Sequence, residues 1–195
     1  MEQSMPSTWS VHYDRWVIDD GEPEREVGEC FRWSVVAFGS SDCLTYAASH
    51  VRSAIGVDDF RYSVIGQVVH VSSKAAVIDF GFRAVGPSDS LPTRCQAGEY
   101  VAGQIKLFFQ HWCDPLPDDI FQSMDQEWSV ETMFADLTPY RPRDETGLGF
   151  IRDAQNVRYE QVASTRATNA KAYVLQCRLI QSEESPAHDE PHSSQ

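Results

Sequence analysis

A chain of 195 residues is long enough to bury a real core without disulfide or metal staples, and its 42% hydrophobic and 11% aromatic content excludes wholesale disorder. Sixteen Lys and Arg against 29 Asp and Glu give a formal charge of −13, a field that repels phosphate backbones and anionic membranes and so disfavours generic nucleic-acid affinity. No window approaches the ~18 apolar residues that span a bilayer and no basic-then-apolar leader opens the chain, so the sequence predicts a cytoplasmic protein with no membrane partner.

In chain order, residues 1–8 read as a flexible lead-in. Residues 10–18 and 28–38 are rich in Val, Phe, Tyr and Trp and bounded by Gly, Asp or Ser, which predicts strands. Residues 40–55 (SSDCLTYAASHVRSAI) carry Leu44, Ala47, Ala48, Val51 and Ile55 at helical spacing, with Ser or Asp to cap the start and Gly56 to stop it, predicting a helix. Strands follow at 62–71, 75–85 and 99–112, then a short helix over 118–124 after Pro115 and Pro117. Residues 138–150 hold two prolines and two glycines and read as a long irregular loop. A strand over 171–180 closes the ordered part. The last stretch, 182–195, has four carboxylates and no Lys, Arg or large apolar residue, which predicts a disordered acidic tail. Removing those four charges from −13 leaves −9, so the body itself is acidic. The expectation is a mostly β, β-rich α+β fold, a small β-barrel or sandwich with one or two short helices, as a single domain over 9–181.

Two further patterns cross these elements. Val17-Ile18-Asp19 followed by Gly28-Glu29-Cys30-Phe31 aligns with Val77-Ile78-Asp79 followed by Gly98-Glu99-Tyr100-Val101, as two related hairpins or as chance convergence of strand composition. Gly66, Val68, Val71, then Ala76, Ile78, Asp79 and Gly81 place a glycine where a coiled strand bends and apolar residues where a barrel fills. This run resembles the first hairpin of an OB-fold of the S1-like type, and Gly98-Glu99-Tyr100-Val101-Ala102-Gly103-Gln104-Ile105 is similar to a strand of such a barrel. The resemblance implies a small barrel whose exposed face binds an extended ligand. An RNA-binding version wants basic residues among exposed aromatics, and the first hairpin offers Arg61, Lys74 and Arg83 beside Tyr62, Phe80 and Phe82.

Motifs for chemistry are sparse. Asp79-Phe80-Gly81 has the letters of the kinase metal-binding triplet, but no Gly-rich loop, strand lysine or His-Arg-Asp loop accompanies it, so a strand end with an acidic turn residue is the better reading. Asp19-Asp20-Gly21-Glu22-Pro23-Glu24 is a carboxylate cluster that fails the EF-hand spacing and reads as a solvated hairpin loop. His111 and Cys113 share a face if the strand continues there, and lack placed partners for catalysis or metal binding. Cys30, Cys43, Cys95, Cys113 and Cys177 are scattered and odd in number, which predicts reduced thiols.

Five tryptophans exceed what one small core usually needs, so either all sit in the core and its rim or some form an exposed aromatic surface. On the second alternative the expected binding surface is Trp16, Trp33, Tyr62, Phe80, Phe82 and Trp112 with Asp19 and Asp20, and no cofactor or metal is expected. The leading functional expectation is a non-enzymatic acidic module that engages a basic protein, the class of immunity proteins and antitoxins. The alternatives are an OB-like domain for single-stranded nucleic acid, using the arginines concentrated between Arg141 and Arg178, and a small-substrate enzyme with a carboxylate or His/Cys site.

Overall fold

Period-two alternation of large apolar residues is the dominant local signal, and the computed structural model, which describes residues 5–40, 42–57, 60–111, 113–142 and 150–180, is accordingly mostly β. The strands are β1 (Trp9–Asp14), β2 (Cys30–Trp33), β3 (Val36–Gly39), β4 (Thr45–Tyr46), β5 (Ser53–Gly56), β6 (Tyr62–Val71), β7 (Ala75–Asp79), β8 (Arg83–Pro87), β9 (Tyr100–Phe109), β10 (Gln126–Asp136), β11 (Tyr140–Pro142), β12 (Phe150–Arg152), β13 (Tyr159–Gln161) and β14 (Ala172–Ile180), with short helices α1 (Arg15–Asp19) and α2 (Asp118–Gln122). The expected tail over 182–195, together with Trp112, Asp58 and Asp59, lies outside the described residues. No helix among the described residues is long and apolar enough to cross a membrane.

Five strands close a barrel in the order β9, β3, β8, β7, β6 and back to β9. Neighbours are antiparallel except β3 and β8, which run parallel at Ala37 and Val85. Strand β9 is shared: its first half pairs with β6, and beyond it β1 joins in parallel at Leu107 and Phe108. From β1 the sheet continues through β14 to β10, which carries β2 and β13. Gly66 lets the barrel close, because a Cβ there would run into the Cγ2 of Ile78.

The interior is a chain of rings running from the barrel to the outer strands. Trp9 contacts Tyr62 at 5.0 Å and Phe82 at 4.8 Å between centroids, Phe82 meets Trp128 edge-on at 5.2 Å, and Trp128 reaches Phe109, which touches Phe31 and Trp33. A second cluster of Val35, Ala75, Val77, Val85 and Met124 lies under α2 on the far side of β7 and β8.

Two expectations are corrected here. The helix over 40–55 does not form: Thr45 and Tyr46 pair with β9, and Ser53–Gly56 pairs with β6, so the chain wraps the barrel in short extended pieces. Its apolar spacing is met another way, with Leu44 and Ala54 buried while Val51 and Ile55 face water. Residues 138–150 are also not wholly irregular, since β11 pairs with β12.

The alignment of the two hairpins has a physical basis at one point. The turns Glu26–Glu29 and Gln96–Glu99 both place glycine at positive φ, 89° at Gly28 and 96° at Gly98. In each, the glutamate side chain accepts a hydrogen bond from the first residue's N–H. In each, the glycine N–H donates to a buried valine carbonyl at 2.8 Å, Val130 or Val68, and that valine's N–H donates back to the glutamate carbonyl. Both valines begin a β-bulge, on β10 and β6. Upstream the likeness ends, because Val17–Asp19 is helical and Val77–Asp79 is strand.

Candidate functional site: an acidic aromatic cleft on the first helix

The cleft is built where β1 stops. Asp14 is still extended (φ −75°, ψ 145°), and α1 begins at the next residue. In this one-turn helix Val17 turns inward and is fully buried, which forces Trp16 outward to 42% exposure. Asp20 and Gly21 close the turn through N–H bonds to the carbonyls of Trp16 and Ile18, with Gly21 at φ 112°. Asp19 and Asp20 are thereby left in solvent beside the indole.

Two long-range anchors and one local hydrogen bond fix this turn. Arg15 donates from its backbone N–H to Lys171 O at 2.9 Å, and from its guanidinium to the carbonyls of Thr165 and Thr168, to Tyr173 Oη and to Glu24. His111, just past β9, sits with Nε2 3.2 Å from Asp20 Oδ2 and its ring against Trp16, 5.3 Å between centroids. Trp16 Nε1 donates to Asp14 Oδ2 at 3.2 Å. Asp14, Arg15, Trp16, Asp19, Tyr140 and Lys171 line a cleft of about 530 Å3, Tyr140 being 50% exposed.

Electrostatically the cleft holds carboxylates with little local neutralisation. Burial pushes the Asp14 carboxyl above its ordinary range, the Trp16 N–H opposes the shift, and the Asp136 carboxylate on β10 adds to it. Asp136 itself is held by Arg152 at 2.9 Å. The Arg15 charge is turned away, onto Glu24 and the carbonyls of the 165–168 loop. Such a cleft can accept a cationic group between aromatic walls.

Of the residues expected at a binding surface, Trp16, Asp19 and Asp20 come together here. Trp33, Tyr62, Phe80 and Phe82 do not: all four are buried in the ring chain, and Trp33 Nε1 is spent on the carbonyls of Val35 and Gln110. Their work is packing. Sequence reasoning missed Asp14 and Tyr140, which no local pattern marks and which lie more than a hundred residues apart in the chain. His111 was singled out for a pairing with Cys113, whereas its partner is Asp20. The Cys113 thiol is pushed up by burial and the neighbouring Asp114 carboxylate, which favours the unreactive thiol form.

A second cleft of about 440 Å3 lies on β9, lined by Gly39, Ser40, Arg61, Gln104, Lys106 and Phe108. Among the described residues no group of three or more His, Cys, Asp or Glu side chains is placed to hold a metal ion, the Asp19–Glu24 run included. All five cysteines are free thiols. Comparison of the chain with protein-family models, curated proteins and solved structures finds no match in any of the three.

Proposed function

We propose that this chain is a non-enzymatic acidic binding module that engages a basic partner protein, in the manner of immunity proteins and antitoxins, through the face carrying α1. The observation that carries the reading is the exposed Trp16 set among Asp14, Asp19 and Asp20, with Tyr140 lining the same cleft. Exposed aromatics supply the desolvated anchor of an interface, and surrounding carboxylates supply steering and register toward a cationic surface. The same reading takes the barrel as OB-like, on its Gly-x-Val hairpin and five-strand closure, and places the protein in the cytoplasm.

A second reading, single-stranded nucleic-acid binding, is favoured by the β9 cleft, which Arg61 and Lys106 line together with Phe108. Against it, four of the C-terminal arginines are set beside carboxylates: Arg141, Arg152, Arg158 and Arg178 stand beside Asp153, Asp136, Glu160 and Glu131.

The test titrates the full chain with folded ribonucleases of high isoelectric point and with a mixed oligonucleotide, at about 50 and 500 mM salt. A basic-protein complex that weakens at least about tenfold at high salt, and again in Asp19→Asn and Trp16→Ala, supports the module. Binding indifferent to salt and to both substitutions overturns it, and saturable oligonucleotide binding lost in Lys106→Glu replaces it with the second reading.

A further inference from the structure

Resting on that reading, we propose that the Trp16 cleft is the receptor for a single arginine side chain of the partner, its guanidinium laid on the indole and paired with the Asp14 and Asp19 carboxylates.

Four observations converge on a guanidinium. First, the lining is mixed in a particular way: two large exposed rings, Trp16 and Tyr140, and two carboxylates, Asp14 and Asp19. Rings draw a cation to their faces, and carboxylates turn anions away. Secondly, Asp14 is held partly out of water with the Trp16 N–H as its hydrogen-bond donor among the described residues, which leaves its other oxygen open to a second donor. Thirdly, the two cations of the lining leave it unsatisfied. Arg15 is consumed by Glu24, Tyr173 and the loop carbonyls, and Lys171 is an exposed rim residue. Fourthly, the indole is itself held, by Asp14 at its N–H and by the His111 ring in a T-shaped contact, so a stacking platform is in place before the ligand arrives.

Arginine fits these features better than lysine. A guanidinium is planar, weakly hydrated and able to stack while its N–H fork addresses two acceptors, whereas an ammonium is a strongly hydrated point charge. The volume of about 530 Å3 is ample for one such side chain. Binding is linked to protons. The groups facing Asp14 are Asp136 from β10 and its partner Arg152 from β12, Trp16, Arg15 and Asp19 from α1 and its start, Tyr140 from β11, and Lys171 from the lead into β14. Because the Asp14 proton must leave for the pair to form, affinity rises with pH through the upper carboxylate range.

The experiment titrates the full chain, by calorimetry and by tryptophan emission, with a capped glycine peptide carrying one arginine, and with the lysine and citrulline versions. The arginine peptide is expected to bind at least about fivefold tighter than the lysine peptide, from its stacking contribution of roughly 1 kcal/mol. Citrulline, neutral and nearly isosteric, should not bind. Trp16→Ala should abolish the signal, Asp14→Asn should weaken binding about tenfold and remove its pH dependence, and Lys171→Ala should strengthen it. Equal arginine and lysine affinities, or binding unchanged in Asp14→Asn, overturn the arginine receptor. If basic proteins still bind in a salt-dependent way, those same outcomes leave the wider module standing. Failure of peptides and basic proteins alike takes both down. Circular dichroism of each variant verifies that a lost signal is not a lost fold.

Discussion

Asp14 pays twice for its place at the end of β1: it is drawn out of water, and it faces Asp136 across the sheet. Both effects raise its folded pKa above the unfolded value, so the folded chain binds that proton more tightly than the unfolded chain does. The carboxylate therefore works against folding at neutral pH, and that penalty fades as pH falls through the folded pKa toward the unfolded one. Asp14→Asn keeps an acceptor for the Trp16 N–H and removes the charge. The variant is expected to show the higher thermal midpoint at pH 7, with the gap closing as the pH is lowered below 4; a lower midpoint at pH 7 would mean that Asp14 is a stabilising carboxylate and that its surroundings are not as described. Stability gained where ligand binding is lost is the mark of a residue kept for function. At this scale the sequence was half legible. Trp16, Asp19 and Asp20 stand within five residues, and exposed Trp beside carboxylate can be read locally. Asp14 looks like one more strand residue, and Tyr140 is brought to the cleft by β11, which pairs with β12.

Among the elements, the pattern was clearest where alternation ran unbroken. Strand β6 coincides at both ends with its expected run of 62–71, and β9 and β14 fall within theirs. The longest strand, β10, was not anticipated, because its sequence QEWSVETMFAD mixes polar residues into the run and its bulge between Val130 and Thr132 shifts the period midway. The helix expected over 40–55 failed for the opposite reason: small apolar residues at helical spacing are equally compatible with short strands once β6 and β9 offer open edges. The two docked turns explain why the hairpin alignment was detectable at Gly28-Glu29 and Gly98-Glu99, since each position is dictated by a bulge on the opposite strand. Gly98→Ala and Gly28→Ala force a Cβ into positive φ with open space around it, so the cost is backbone strain of about 1–2 kcal/mol each rather than a clash. Urea denaturation should return near-equal losses for the two variants. A loss confined to one of them would show that the turns are alike in hydrogen bonding but not in structural weight.

Over the whole molecule, the ring chain decides whether the barrel and the outer strands behave as one unit. Trp9, Phe82, Trp128 and Phe109 come from or beside strands on both sides of the junction at β9, and Trp128 on β10 is fully buried between Phe82 and Phe109. The contact sits at β9, the strand through which the barrel passes into the outer sheet. Losing Trp128 should therefore destabilise the molecule as a whole. Trp128→Ala is expected to cost about 3–5 kcal/mol, with backbone and aromatic circular dichroism still falling in one coincident transition. Trp128→Phe should cost less: the buried Nε1 has no hydrogen-bond partner, so the substitution gives up ring area without orphaning an acceptor. Separation of the two signals in Trp128→Ala would show instead that the barrel holds on its own and that α1, with its cleft, rides on a sheet able to unfold first. In that case the arginine receptor would belong to the less stable half, and ligand binding would raise the earlier transition alone.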